Sequence, residues 1–139
     1  MSDPHDLRRF VDAQRDVYDA AVSELRAGRK TSHWMWFVFP QIAGLGRSAI
    51  AQKYAIASLA EAEAYLAHPV LGPRLLECAG VLTQLGGRSA EEVFGAVDAQ
   101  KLRSSMTLYA RAAGDPSPFG EVLARYFGGA EDQATLQRL

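Results

Sequence analysis

From Leu25 through Ala60 the chain contains no Asp or Glu, yet it holds Arg26, Arg29, Lys30, Arg47 and Lys53, with His33 able to add charge near neutral pH. Trp34, Trp36, Phe37, Phe39 and Tyr54 lie among these cations. Guanidinium and ammonium groups take phosphate or carboxylate, and aromatic faces stack on a ring. Backbone amides around Gly44 and Gly46 can add an anion-binding nest. The expectation is a pocket for a small anionic, nucleotide- or phosphate-bearing ligand, lined by Arg29, Lys30, His33, Trp34, Trp36 and Gln41. The same residues also have plain structural uses. Met35, Phe37, Val38 and Phe39 read as core, and Trp34 or Trp36 can join it with the indole N–H bonded to a carbonyl. Arg29 and Lys30 follow a helix C-terminus, where the helix dipole favours cations.

A second constellation is Asp98-x-x-Lys101-x-x-Ser104-Ser105. On a helix Lys101 reaches the serines one turn on, and a desolvated lysine can activate a serine hydroxyl for acyl or phosphoryl transfer. Lys101, Ser105 and His33 are therefore the candidate catalytic residues. His33 would be the general acid or base, Arg29 and Lys30 would stabilise developing charge, and Asp98 would approach the ligand from the later helix. The structural alternative makes Asp98 a helix N-cap, Lys101 its ion partner and the serines small residues for close packing. Gln14 and Gln41 sit beside apolar residues, so each either bonds a ligand or satisfies a core carbonyl.

Other chemistries find little support. His5, His33 and His68 are scattered, without a His-Glu-x-x-His pair or paired cysteines, so no metal is expected. Gly44-x-Gly46 lacks the third glycine and preceding strand of a dinucleotide fingerprint, and no cofactor is expected. Cys78, the single cysteine, lies in the apolar run Leu75, Leu76, Cys78, Val81, Leu82 and reads as a small buried hydrophobe. The rival to a ligand pocket is a protein-interaction module that docks an acidic partner through the same basic and aromatic surface.

Which elements would position these residues? Leu7, Phe10, Val11, Gln14, Val17, Tyr18, Ala21, Val22 and Leu25 recur at helical spacing and predict one continuous first helix, with Asp3 at its start and Gly28 at its end. Its other face, with Arg8, Arg9, Asp12, Arg15 and Glu24, reads as solvated. A short helix is expected between Ser32 and Pro40, and a loop over 42–48. Ser58-Leu59-Ala60-Glu61 reads as a capping box for a helix to about Ala67, followed by one over 71–85. Ser89 to Glu92 is a second capping box before one turn ending at Gly95. Helices at 99–113, from Ser117-Pro118 to Gly128, and at 131–138 complete the pattern.

Twenty-three alanines and fifteen leucines outnumber sixteen Val, Ile and Thr together, which leans all-α. The 139 residues suit one globular domain spanning the whole chain, a bundle of six to seven helices. The net charge of −1 is the sum of +5 in the acid-free window and −6 elsewhere. It argues against a broad nucleic-acid surface but permits a local anion site. The polar, acidic start predicts no signal peptide, and no apolar run approaches a membrane span, so a cytoplasmic protein is expected.

Asp6-Leu7-x-Arg9-Phe10-Val11-x-Ala13-Gln14 and Gly28-Arg29-Lys30-x-Ser32-His33-Trp34-Met35-Trp36-Phe37-Val38-Phe39-Pro40-Gln41 resemble the opening of a bacterial domain-of-unknown-function family, number 1810. Phe94-Gly95-x-x-Asp98-x-x-Lys101-Leu102-x-Ser104-Ser105-Met106-Thr107-Leu108 and Tyr126-Phe127-x-Gly129 continue the resemblance over nearly the whole chain. It implies a compact, mostly helical domain and supplies no catalytic residues. Some members carry the label "calpastatin"; calpastatins are long, disordered and repetitive, whereas this chain is apolar and unrepeated.

Overall fold

A computed structural model describes residues 3–139, within which there are ten helices and no β-strand. They are α1 (Arg8–Gln14), α2 (Tyr18–Ala27), α3 (Met35–Val38), α4 (Ala49–Lys53), α5 (Leu59–Ala67), α6 (Leu71–Gln84), α7 (Ala90–Phe94), α8 (Ala96–Ala112), α9 (Phe119–Phe127) and α10 (Gln133–Leu136). The all-α expectation is met, but the number of helices exceeds six to seven. No described helix is long and apolar enough to cross a membrane. The signal-peptide expectation rests partly on Met1 and Ser2, which lie outside the described residues.

Two of the extra helices have physical causes. The expected first helix divides at Arg15–Val17, where Arg15 and Val17 donate back only three residues, to Asp12 and Gln14. The apolar stripe continues across the division because α1 and α2 both face the same core, so periodicity alone reads them as one. Asp3 does serve the N-terminus, accepting from the amides of Leu7 at 2.9 Å and Arg8 at 3.1 Å. Helix α4 buries none of its residues and so has no stripe to betray it; the Ser48 hydroxyl caps it by accepting from the Ala51 amide. Gly28 ends α2 as expected, in the left-handed conformation at φ 73°.

Helix α8 is the axis of the domain. It packs against α5, α7, α9 and α10, and its residues from Ser104 to Tyr109 are all buried. A chain of rings crosses the core, from Phe10 to Tyr65 (5.2 Å between centroids), Tyr109 (5.4 Å) and Phe119 (5.8 Å). It thereby joins α1, α5, α8 and α9. Gln14 is a core amide: it donates to the Phe37 carbonyl at 2.7 Å and to the Tyr65 hydroxyl at 3.1 Å, and accepts from Arg74. Cys78 is buried, and desolvation pushes its thiol up to about 12, which keeps it protonated and unreactive.

The junction of α5 and α6 depends on Gly72. A Cβ there would stand 2.1 Å from the backbone oxygen of Leu66, which cannot swing aside as a side chain would. Gly72→Ala is expected to lower stability by about 1–3 kcal/mol through overpacking. Gly80→Ala, on the same helix with open space around it, is expected to leave stability unchanged or raise it by up to ~1 kcal/mol. Thermal denaturation of the two variants checks the contrast; equal melting temperatures would refute the close approach.

Candidate functional site

Acids from outside the acid-free window reach into it, Asp98 to Lys30 and Glu77 to Arg26. Glu24, one turn before the end of α2, gathers the loop that follows. Its carboxylate accepts from the Thr31 amide (2.7 Å), the Ser32 amide (3.0 Å), the Ser32 hydroxyl (2.5 Å) and the Trp34 indole N–H (3.0 Å). Burial alone would raise its pKa, but the Ser32, Thr31 and Trp34 donors outweigh it and hold the carboxyl at about 2. The Lys30 amide donates to the Val93 carbonyl at 2.8 Å and so pins the loop to α7. Trp34 is therefore core, 1% exposed and packed against Phe39 and Phe94, with a carboxylate rather than a carbonyl as its indole partner.

Lys30 runs beside Trp34, its ammonium 5.1 Å from the ring centroid and 2.9 Å from Asp98. The other oxygen of Asp98 lies 3.5 Å from the Lys101 ammonium, which in turn sits 5.1 Å from the centroid of Trp36. The order is Trp34, Lys30, Asp98, Lys101, Trp36, with cations on both indole faces and one carboxylate between them. This brings together five of the residues singled out from the sequence. It also corrects the role of Asp98: Gly95 is the N-cap residue of α8, and Asp98 lies in the first helical turn, where it bridges two lysines.

Lys101 alone of these five lines a cleft of about 450 Å³. One wall is Gln41, Leu45 and Gly46. The floor is Val97, Gln100, Lys101 and Ser104 of α8, and the far wall is Asp132 and Ala134. The first wall is held by a single parallel bridge between Ile42 and Ile56, in which the Ala43 amide donates to Ile56 and the Ile56 amide donates to the carbonyl of Gln41 at 2.9 Å. The far wall is held by α8. Arg103 donates to the carbonyls of Ala130 and Glu131, and the Thr107 hydroxyl accepts from the Asp132 amide at 2.9 Å. Asp132 is 7% exposed. Its Oδ2 accepts from the Ser104 hydroxyl (2.9 Å) and from the amide and hydroxyl of Thr135 (3.1 and 2.6 Å), while Oδ1 accepts from Gln100 alone (3.1 Å).

The single pocket expected from the window is not what the fold builds. Arg29 and His33 are exposed and line no part of this cleft, and Trp34 is sealed in the core. Ser105 is also corrected: it is fully buried and its hydroxyl has no partner, as is true of Tyr109 one turn later. The serine that α8 presents to the cleft is Ser104, whose hydroxyl is committed to Asp132 and to the Gln100 carbonyl. Asp132 and Gln100 were not singled out from the sequence. Asp132-x-x-Thr135 carries a capping signature, but nothing in it signals contact with a helix some thirty residues earlier.

Over residues 4–139 the chain matches a family described as "Protein of unknown function (DUF1810)". Among solved structures it is similar to the crystal structure, at 1.38 Å, of the conserved hypothetical protein Rv1873 from Mycobacterium tuberculosis. The two share 58% sequence identity at a TM-score of 0.97, over 99% of this chain and 98% of that one. Nothing among curated proteins matches the chain.

Proposed function

The chain belongs to this family of unknown function, and we propose that its role is to bind a small ligand, one carrying an anionic group, in the cleft between the 41–46 wall, α8 and α10. The observation that carries this reading is the uneven sharing of Asp98. Lys30, 7% exposed in its side chain, takes the carboxylate at 2.9 Å, whereas Lys101, 24% exposed, stands at 3.5 Å and lines the cleft. Two ammonium groups against one carboxylate leave an excess positive charge, and the shorter, more buried contact leaves that excess on Lys101. Gln41 adds a neutral donor on the opposite wall, and Leu45, Val97 and Ala134 supply apolar contact. The volume falls in the usual range of small-molecule sites.

The docking-module alternative draws less support. Its expected anchors were Trp and Arg: Arg29 is exposed, but Trp34 is buried and the Lys101 ammonium stands over Trp36. A hydrolytic role draws less support still, because His33 stands outside the cleft and the Ser105 hydroxyl is sealed from it.

The test is a thermal-shift screen of the purified chain against carboxylates, sugar phosphates and nucleotides. A ligand at a hundred times its Kd stabilises the fold by about 2.7 kcal/mol. The shift is expected to vanish in Lys101→Ala, to shrink in Gln41→Ala, and to persist in Arg29→Ala and His33→Ala. A shift that survives Lys101→Ala but is lost in Arg29→Ala or His33→Ala would move the site back to the basic window.

A further inference from the structure

The cleft has a second pole, and it is acidic. Asp132 lines the same cavity as Lys101 and is presented from the other wall. Ser104, one helical turn beyond Lys101, holds the Asp132 carboxylate at 2.9 Å. The cation and the carboxylate therefore attach to α8 about 5–6 Å apart, neighbours along one helix face. The two oxygens of Asp132 are not equivalent. Oδ2 accepts three hydrogen bonds and is saturated, whereas Oδ1 accepts only one, from Gln100. A carboxylate oxygen has two lone pairs, so Oδ1 retains capacity for one further donor. A ligand that fills this cleft with an acceptor at both ends would set its second acceptor against a buried, nearly dry carboxylate, at a cost in affinity.

We propose that the ligand is amphoteric. Its anionic group meets Lys101 and Gln41, its hydrogen-bond donor, an ammonium in the strongest case, meets Asp132 Oδ1, and its apolar middle lies against Leu45, Val97 and Ala134. The class is a small amino carboxylate or amino phosphate rather than a polyphosphate. This rests on the anion reading above and adds the requirement for a donor at the opposite pole.

Three matched probe series separate the two readings by isothermal titration of the full chain: straight-chain alkanoates, alkylamines, and ω-aminoalkanoates of graded length. The expected result is that the best ω-aminoalkanoate binds about tenfold more tightly than the alkanoate of equal length, the gain of one hydrogen bond to a charged group. That advantage is lost in Asp132→Asn, which keeps the side-chain shape. Asp132 also caps α10, so a second variant guards against misfolding: Lys101→Gln is expected to abolish alkanoate binding while leaving alkylamine binding intact or stronger. Alkanoates that bind as tightly as their amino counterparts would overturn the amphoteric ligand and leave the anion site standing. Failure of every probe, in every length, would overturn both.

Discussion

Arg9→Ala is expected to destabilise the protein by about 3–5 kcal/mol, the range for removing one partner of a buried ion pair. All five N–H groups of Arg9 are in use. Its Nε donates to the Lys53 carbonyl, one terminal nitrogen to the carbonyls of His5 and Asp6, and the other to the Ala55 carbonyl and to Glu61 at 2.8 Å. One side chain thus ties the start of α1 to the α4–α5 connection and to α5. Glu61 is 4% exposed in its side chain. It cannot be left alone: its other oxygen accepts from the Ala57 amide, and removing Arg9 would strand a buried negative charge. Arg9→Lys should recover only part of the loss, because an ammonium keeps the charge but not the planar fork. The double substitution Arg9→Met with Glu61→Met should recover more of it, since the stranded charge disappears with its partner. Urea unfolding midpoints of the four chains check the order. A loss below ~1 kcal/mol in Arg9→Ala would mean that the pair behaves as a surface salt bridge.

Glu24→Ala is expected to cost about 2–4 kcal/mol, because the Trp34 indole N–H is buried and three further donors lose the same acceptor. The loop that seats Trp34 and Lys30 should loosen, and near-ultraviolet circular dichroism should report the change at the tryptophan. The pH dependence follows from the same contacts. The Glu24 carboxyl is held at about 2 in the folded chain against an ordinary 4.5, so the folded state binds a proton less readily than the unfolded one. Its stabilising contribution is complete above pH 4.5 and is lost as the pH falls from there towards 2. Glu24→Gln removes this titration. The difference in stability between wild type and Glu24→Gln should therefore be constant from neutral pH down to about 5 and shrink below it. A difference that stays constant down to pH 2 would exclude Glu24 as the acid-sensitive contact.

Both residues lie on the face of the first helical segment that its hydrophobic pattern marks as solvated. Periodicity reports which positions face the core, and Leu7, Phe10, Val22 and Leu25 do. It says nothing about long polar side chains that reach past the helix edge to carbonyls and amides elsewhere, as Arg9 and Glu24 do. The same blindness explains the site. The acid-free window between Leu25 and Ala60 stood out as a block of uncompensated charge, but Lys30 is matched by Asp98 of α8, and Arg26 reaches Glu77 at 3.9 Å. What remains available to the cleft is Lys101, from outside the window.

Sequence by itself determined the helical class, the single apolar core, the capping boxes at Ser58 and Ser89 in whole or part, the left-handed stop at Gly28 and the burial of Cys78. These are local: they depend on side-chain entropy, on orphan amides within one turn and on spacing along one helix. Most of helix Ala96–Ala112 was legible in the same way, and with it the approach of Lys101 to Ser104 one turn on. It took the fold in three dimensions to bring Lys30 to Asp98, to seal the Ser105 hydroxyl while the buried Ser104 hydroxyl meets Asp132, and to close the cleft with Asp132. Each of those outcomes is a contact between residues far apart in the chain, where packing in three dimensions, not the pattern of neighbours, sets the distance.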